Sequence, residues 1–475
     1  KGFNMTANRL PDVYLSITDY GLGILPGGSA GIIAKVGVSS KGKENTIALL
    51  SDSDQIVPNF GSGVLVDSLA DSFTGGSKTI YAVRAAADIP GTISEVVKTA
   101  AEGDTSTLKV ESASKPLDAY DVIVEITGSG ALNAASFRYS LDGGSSYSDR
   151  ITVPSTGKYT LADTGLEMTF TGDFIAGTVW KFQTTAPQAS VGNIIAAVQV
   201  LLDSALTYEC IHVCGESDPA VWTALDVLAK QAEADYRYCY IEADAPYKSG
   251  NQTTDEWVQY LSNARANFAS TRVGVCAAFG TVVDMLTGKQ VVRNLHGIIR
   301  GQIATLKRQE SPGAVEKGGL NGVVNIQPAD LNNAQILALD NAGFTTVRKF
   351  IGLNGIYITN GRMMSENGSD YEQEENRRVM DHSCELVRSQ ALKKVKSGIP
   401  AEGPKALEAF LSHALNSQIG EGEIISGTVV IPDDQDVWST SKIKTKIRIV
   451  PVPIMREIEI DIGFENPYLT TEAEG

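Results

Sequence analysis

Hydrophobic and polar positions change period several times along this chain. Within Pro11–Thr18, Val13, Leu15 and Ile17 alternate with polar residues, the pattern of a half-buried strand. Gly21, Gly23, Pro26, Gly27 and Gly28 then interrupt regular structure. Ile32–Val38 predicts a strand. In Ser62–Phe73 the apolar residues Leu65, Val66, Leu69, Ala70 and Phe73 fall at helical spacing, and Gly75-Gly76 ends the run. Thr79–Arg84 predicts a further strand.

Residues 105–187 differ in character. They are rich in Ser, Thr and Gly, and short alternating runs (120–127, 136–140, 160–161, 166–170, 178–183) are separated by turn signals such as Asp142-Gly-Gly144. This predicts a small all-β sandwich or barrel inserted into a larger domain. Beyond residue 190, helix and strand patterns alternate. Helices are predicted over 191–206, 219–234 and 253–268, and strands over 208–214, 236–241 and 272–278. Asp218-Pro219 and Thr253–Glu256 supply N-terminal caps. That order predicts an α/β core with a largely parallel sheet and flanking helices. Further along, helices are expected over 294–307, 331–340, 369–396 (opened by a capping box at Ser369–Glu372) and 404–419. A single strand is expected over 348–359.

The C-terminal end combines two charge patterns. Lys442, Lys444, Lys446 and Arg448 alternate with apolar or β-branched residues, whereas Glu457, Glu459 and Asp461 alternate with isoleucines. A fold-back at Pro451 and Pro453 would set Arg448 opposite Glu457, Lys446 opposite Glu459 and Lys444 opposite Asp461, each pair worth roughly 0.2–1 kcal/mol. The same runs could instead add as strands to another subunit. The chain thus divides into an N-terminal arm (1–20), a discontinuous α/β core (21–104 and 188–441), the β insertion (105–187) and C-terminal strands with an arm (442–475).

Composition narrows the chemistry. At roughly 150 residues per domain, 475 residues suggest about three domains. The formal net charge of −16 argues against nucleic-acid binding. No apolar run approaches the ~20 residues of a membrane span. No leader is expected: the chain is polar through Leu10, and the stretch that follows is broken by Pro11, Asp12 and Asp19. Five cysteines do not make a disulfide framework. Cys210, Cys214, Cys239 and Cys276 sit in apolar strand-like runs and predict buried thiols. Cys210-Ile-His212-Val-Cys214 has no second ligand pair to close a zinc tetrahedron, and the four histidines fall on separate elements, so no metal is predicted. Gly27-Gly-Ser29-Ala-Gly31 matches a nucleophile elbow in letters, but Pro26 precedes it and a strand follows, so Ser29 lacks that motif's strand-to-helix turn. Gly61-Ser-Gly63 lacks the third glycine and the preceding strand of a dinucleotide fingerprint. No catalytic residue and no cofactor are predicted.

Several segments resemble the contractile tail sheath family of phages and phage-derived injection systems. They are Phe60–Gly63, Gly75–Arg84, Phe137–Gly144, Gly177–Pro187, Gly355–Arg362 and Asn376–Asp381, and their order covers most of the chain. The resemblance implies a structural, non-enzymatic subunit in a virion tail assembled in the host bacterial cytoplasm. It would polymerise helically with itself around a tail tube protein, meet baseplate and terminator proteins, insert in no membrane and contract to drive the tube through an envelope. It also implies terminal arms that link subunits by strand exchange, here through Val13, Tyr14, Leu15 and Ile17 at one end and Ile454, Ile458, Ile460 and Ile462 at the other. Two alternatives are a receptor- or glycan-binding virion protein using Tyr139, Tyr147 or Trp180, and an α/β hydrolase using Ser29.

Overall fold

The computed structural model describes residues 30–398 and 403–464. Its centre is a seven-stranded sheet of β1 (Ile33–Gly37), β2 (Ile47–Leu50), β3 (Ile80–Arg84), β4 (Cys210–Glu216), β5 (Tyr240–Asp244), β6 (Val273–Cys276) and β7 (Phe344–Thr345), in the order β7-β6-β5-β4-β1-β3-β2. All neighbours run parallel except β2, which is antiparallel to β3. β1, β5 and β6 are buried at every position, as parallel strands covered on both faces should be.

The two faces of this sheet are chemically unlike. Ala34, Val36, Ile211, Val213, Ile241, Ala243, Val273 and Val275 point to one side and form an apolar core with Leu201, Trp222, Leu225, Trp257 and Leu261. Those last residues lie on α2 (Val191–Leu202), α3 (Pro219–Ala234) and α4 (Thr254–Arg265). Asp218 caps α3 by accepting from the Ala220 and Val221 amides, and a Thr253–Glu256 capping box opens α4, both at the predicted positions. The opposite face carries Lys35, His212, Glu242 and Asp244. It is covered by α1 (Val64–Gly75) and α5 (His296–Ile303), which contribute Ser68, His296 and Arg300. These helices cross at backbone contact: a Cβ on Gly301 would lie 2.8 Å from the Gly75 Cα.

Between β3 and α2, eight short strands from Val97 to Gln183 form a three-stranded and a five-stranded antiparallel sheet. They enclose their own core of Val122, Val124, Phe137, Met168, Phe170, Phe174, Trp180 and Phe182. The strand Val97–Thr99, which pairs with Val179–Gln183, lies before residue 105. Bridges between Ile89 and Gln188 and between Ile93 and Thr184 form the neck.

Other elements depart from the sequence expectations. The helix predicted over 294–307 is the shorter α5, because Gln290–Asn294 pairs with Phe279–Val283 in a separate three-stranded sheet. The strand predicted over 348–359 is a hairpin of Val347–Arg348 and Tyr357–Ile358, turned where Gly352 and Gly355 adopt φ of 89° and 107°. No capping box forms at Ser369, which accepts from the Tyr371 amide in a turn. Instead α6 (Glu374–Leu392) starts beyond it, with its first-turn glutamates already committed to arginines. After α7 (Gly403–Glu421) come β8 (Ile424–Val430) and β9 (Lys446–Pro451), an antiparallel pair packed on α6 and α7 through Val379, Leu411, Leu415, Val429, Ile447 and Ile449.

Candidate functional site

Two features stand out: an open chain end and a buried ion network. At the chain end, the fold-back at Pro451 and Pro453 does not occur. Lys446 and Arg448 of β9 face Val430 and Thr428 of β8, not Glu459 and Glu457. The reason is burial: pairing with β8 places Ile447 and Ile449 against α7, whereas an isolated two-stranded ribbon would leave them in water. Lys446 and Arg448 point to solvent, and β9 has no partner along its second edge among the described residues. Residues 452–464 then run on without regular structure. Arg456 tethers them, donating to Asn360 Oδ1 at 2.7 Å and pairing with Glu375. Beyond that tether Ile458, Ile460 and Ile462 are 68%, 74% and 86% exposed, while Ile454 is half-buried. Val13, Tyr14, Leu15 and Ile17, like Ser29, lie outside the described residues.

The second feature begins in the sheet register. Lys35 of β1, His212 of β4, Glu242 of β5 and Gly274 of β6 are aligned across four neighbouring strands, all on the face under α1 and α5. Lys35 Nζ donates to Ser68 Oγ at 2.6 Å and lies 2.9 Å from His212 Nδ1. On the far side of the ring, His212 Nε2 lies 2.9 Å from Asp244 Oδ1, and His296 Nδ1 reaches the same oxygen at 2.7 Å. His296 Nε2 faces Glu242 Oε2 at 3.3 Å, and Glu242 Oε1 lies 3.7 Å from Arg300. Arg300 forms a fork with Glu374, two contacts of 2.7 Å, and Tyr240 donates its hydroxyl to the same carboxylate at 2.7 Å. Gly274 makes room: a Cβ there would sit 2.5 Å from each Glu242 oxygen.

His212 and His296, read from the sequence as isolated, therefore meet at Asp244, and their rings lie 4.2 Å apart. His212, Asp244 and His296 bring three potential metal ligands together. The arrangement is nevertheless that of hydrogen bonding. Asp244 Oδ1 stands between two ring nitrogens at 2.7 and 2.9 Å as a shared acceptor, and the Gly215 amide donates to Oδ2 at 2.8 Å. Lys35 against the same ring adds a cation where a metal would place another. Burial and then the Lys35 charge push the His212 ring well below its ordinary value of 6.5, against the pull of Asp244. Burial alone would raise Asp244, but the two rings hold its carboxyl well below 3.8. Burial lowers Lys35 as well. The thiols nearby are inert: burial pushes Cys210 up to about 12 and Cys214 to about 11.

A family model for the DUF2586 N-terminal domain matches residues 10–362, and one for the DUF2586 C-terminal domain matches 370–469. The chain belongs to the DUF2586 family. It is 24% identical over 234 residues to a putative tail sheath protein of Haemophilus phage HP1 (strain HP1c1), a match covering 45% of this chain and 59% of that protein. The chain thus spans somewhat over half the length of that curated relative. Among solved structures, the fold is similar to the contracted-state sheath complex of an extracellular contractile injection system, PVC (TM-score 0.56, 12% identity, 96% of this chain and 98% of that one). It is also similar to the contracted helical sheath of the anti-feeding prophage (TM-score 0.54, 13% identity, 96% and 99% covered).

In this DUF2586 chain the aromatic residues weighed for glycan binding serve the insertion's own packing. Trp180 is buried in it and Tyr139 packs against it, while Tyr147 carries the Arg138 guanidinium 4.2 Å from its ring. The buried network was missed because each strand reads as an apolar run. The signal was parity: Lys35, His212, Glu242 and Asp244 each occupy the same alternate face of a buried strand. No helix among the described residues is long and apolar enough to cross a membrane.

Proposed function

We propose that this chain is the structural subunit of a contractile tail sheath, a component of a phage or phage-derived tail. It polymerises helically around a tail tube, with baseplate and terminator proteins at its ends, and contracts by switching between two packings of one rigid body. Family membership, the sheath named in the phage relative and a fold shared over nearly the whole chain with two contractile sheaths support the reading. The α/β body is the polymerising core, the β insertion an accessory domain and the two termini are linking arms. No catalytic step enters.

The observation that carries this reading is the open chain end. β9 offers a basic edge, and 457–462 an acidic, isoleucine-bearing extended segment, neither paired there among the described residues. Added to β9 of a neighbour, the strand sets Glu457 against Arg448 and Glu459 against Lys446, the predicted register satisfied between copies instead of within one. At the other terminus Val13, Tyr14, Leu15 and Ile17 supply the second exchanged strand. The test is electron microscopy of the purified full chain beside two variants, one ending at residue 452 and one carrying Glu457→Lys, Glu459→Lys and Asp461→Lys. The full chain should form tubes or stacked rings, and both variants should lose them while remaining folded by circular dichroism. Tubes formed equally by all three would sink the strand-exchange reading.

A further inference from the structure

The ion network has a property that neither packing nor assembly requires. His212 has one ring nitrogen for each neighbour. With Lys35 donating to Nδ1, the ring proton is assigned to Nε2, where it is donated to Asp244. A second proton has only Nδ1 to occupy, and there it would meet the Lys35 ammonium head-on at 2.9 Å, donor against donor. The nearest acceptor left to it is Ser68 Oγ, 3.4 Å away on α1, which Lys35 already uses.

We propose that Lys35, His212, Asp244 and His296 form a proton-operated lock that holds the α1–α5 pair against the central sheet and releases it in mild acid. Nothing in this depends on whether the subunit polymerises. His212 is faced by Lys35 from β1, by Ser68 from α1 and by Asp244 from β5, with Glu242 beside it in register and Asp71 of α1 acting on Lys35. Cys210 and Cys214 flank it on its own strand, and His296, with Arg300 behind it, faces it from α5. Asp244 is already held by two rings and the Gly215 amide, so it offers no free acceptor to a proton at Nδ1. His296 presents a second ring edge to Glu242 and Asp244, so Asp244 Oδ1 is already shared between two rings. A protonated His212 therefore turns toward Ser68 and displaces Lys35, so the Lys35–Ser68 contact that ties α1 to β1 is lost.

The sign follows from linkage. The folded ring binds a proton less readily than the unfolded one, so the unfolded state takes up more protons once pH falls below 6.5. Stability is thus lost on acidification through that value.

His212→Gln isolates the effect, since its amide can donate to Asp244 and its carbonyl can accept from Lys35, but it cannot titrate. Hydrogen exchange of the full chain, corrected for intrinsic rates, is measured over 64–75 and 296–303 at pH 7.5 and pH 5. In the wild type, uptake in both helices should rise about tenfold on acidification, since the open state takes up the proton that the folded ring resists. In His212→Gln it should change less than about twofold, while His413→Gln, at an exposed ring, should behave as wild type. Asp71 and Asp118 also titrate near pH 6, and the Gln variant leaves them intact. Should His212→Gln fail to fold, Lys35→Gln decides, because removing the opposing cation must blunt the same acid response. An acid response in whichever variant folds that matches the wild type overturns the lock, as does its loss in His413→Gln.

Discussion

At the scale of single residues, burial sets the proton affinities in this chain, and nearby charges correct it. Asp71 on α1 is an example. It pairs with Arg293 at 2.6 Å, yet burial pushes its carboxyl up to about 6. Arg293 cannot hold it lower because it also serves Asp67 at 3.1 Å and Asp284 at 3.2 Å. A carboxyl raised on folding adds stability below its unfolded value of 3.8, and that contribution is lost as pH rises through about 6. Asp71→Asn keeps an acceptor for Arg293 and carries no charge. It should therefore stabilise the chain at pH 7.5 by about 1–3 kcal/mol and leave it nearly unchanged at pH 4. Urea midpoints of both proteins at the two pH values check this; an Asn variant weaker at both would show that the ion pair outweighs burial.

At the scale of elements, the helices that cover the polar face are fixed by charge as much as by apolar contact. α6 buries Glu374, Glu375, Arg377, Arg378 and Asp381. Arg378 reaches Glu209 at 2.8 Å, and Asp381 lies 3.1 Å from Arg272. Removing one member of such a pair strands the other. Arg300→Ala should cost about 3–5 kcal/mol, because Glu374 would remain buried without its fork. Arg300→Met combined with Glu374→Leu should recover most of that loss, although the Tyr240 hydroxyl then lacks its acceptor. Chemical denaturation of the single and double variants separates the two effects. A double variant no better than the single would mean that the network is worth more than apolar packing of the same volume.

The same point decides how far these elements could be read in advance. Strands and helices with one apolar face, such as β1, α3 and α4, were legible from periodicity and caps. α6 was legible as a helix but not in its starting point, because its first turn is set by Arg300 and Arg456, which are distant in sequence. The pairing of β9 was misread for a related reason. Local charge complementarity pointed to 457–462, but the competing partner β8 brought a ready apolar layer on α7, and that layer is invisible to a local pattern. The meeting of His212 with His296 depends on residues 84 positions apart in the numbering brought together by α5, and no spacing rule could have joined them.

At the scale of the whole molecule, the β insertion is joined to the body by its neck and by contacts between distant elements, among them Lys41 with Asp163 at 3.8 Å, Asp118 with the Gly63 amide, and Lys289 with Asp142. Asp142 accepts from Ser140 Oγ at 2.6 Å and from the Ser146 amide at 2.9 Å, which fixes the hairpin turn. Lys289, in the turn between Phe279–Val283 and Gln290–Asn294 of the body, pairs with the Asp142 carboxylate and donates to Ser146 Oγ at 2.6 Å. The ammonium thus completes a polar cage that the hairpin leaves open on one side. The neck and these contacts, the Lys289 latch among them, together restrain the angle between insertion and body, whereas a two-stranded neck alone would act as a hinge. Each part keeps its own apolar core, so breaking the latch should change orientation far more than stability. Lys289→Ala leaves the hairpin's own bonds intact and should cost no more than about 1 kcal/mol, as expected for a half-exposed pair. It should still widen the small-angle scattering envelope and speed proteolysis at residues 86–96 and 184–190. Scattering and cleavage rates identical to wild type would mean that the neck and the remaining contacts fix the angle without Lys289. A changed envelope at unchanged stability would show that the insertion's orientation depends on the Lys289 ammonium set into the hairpin turn.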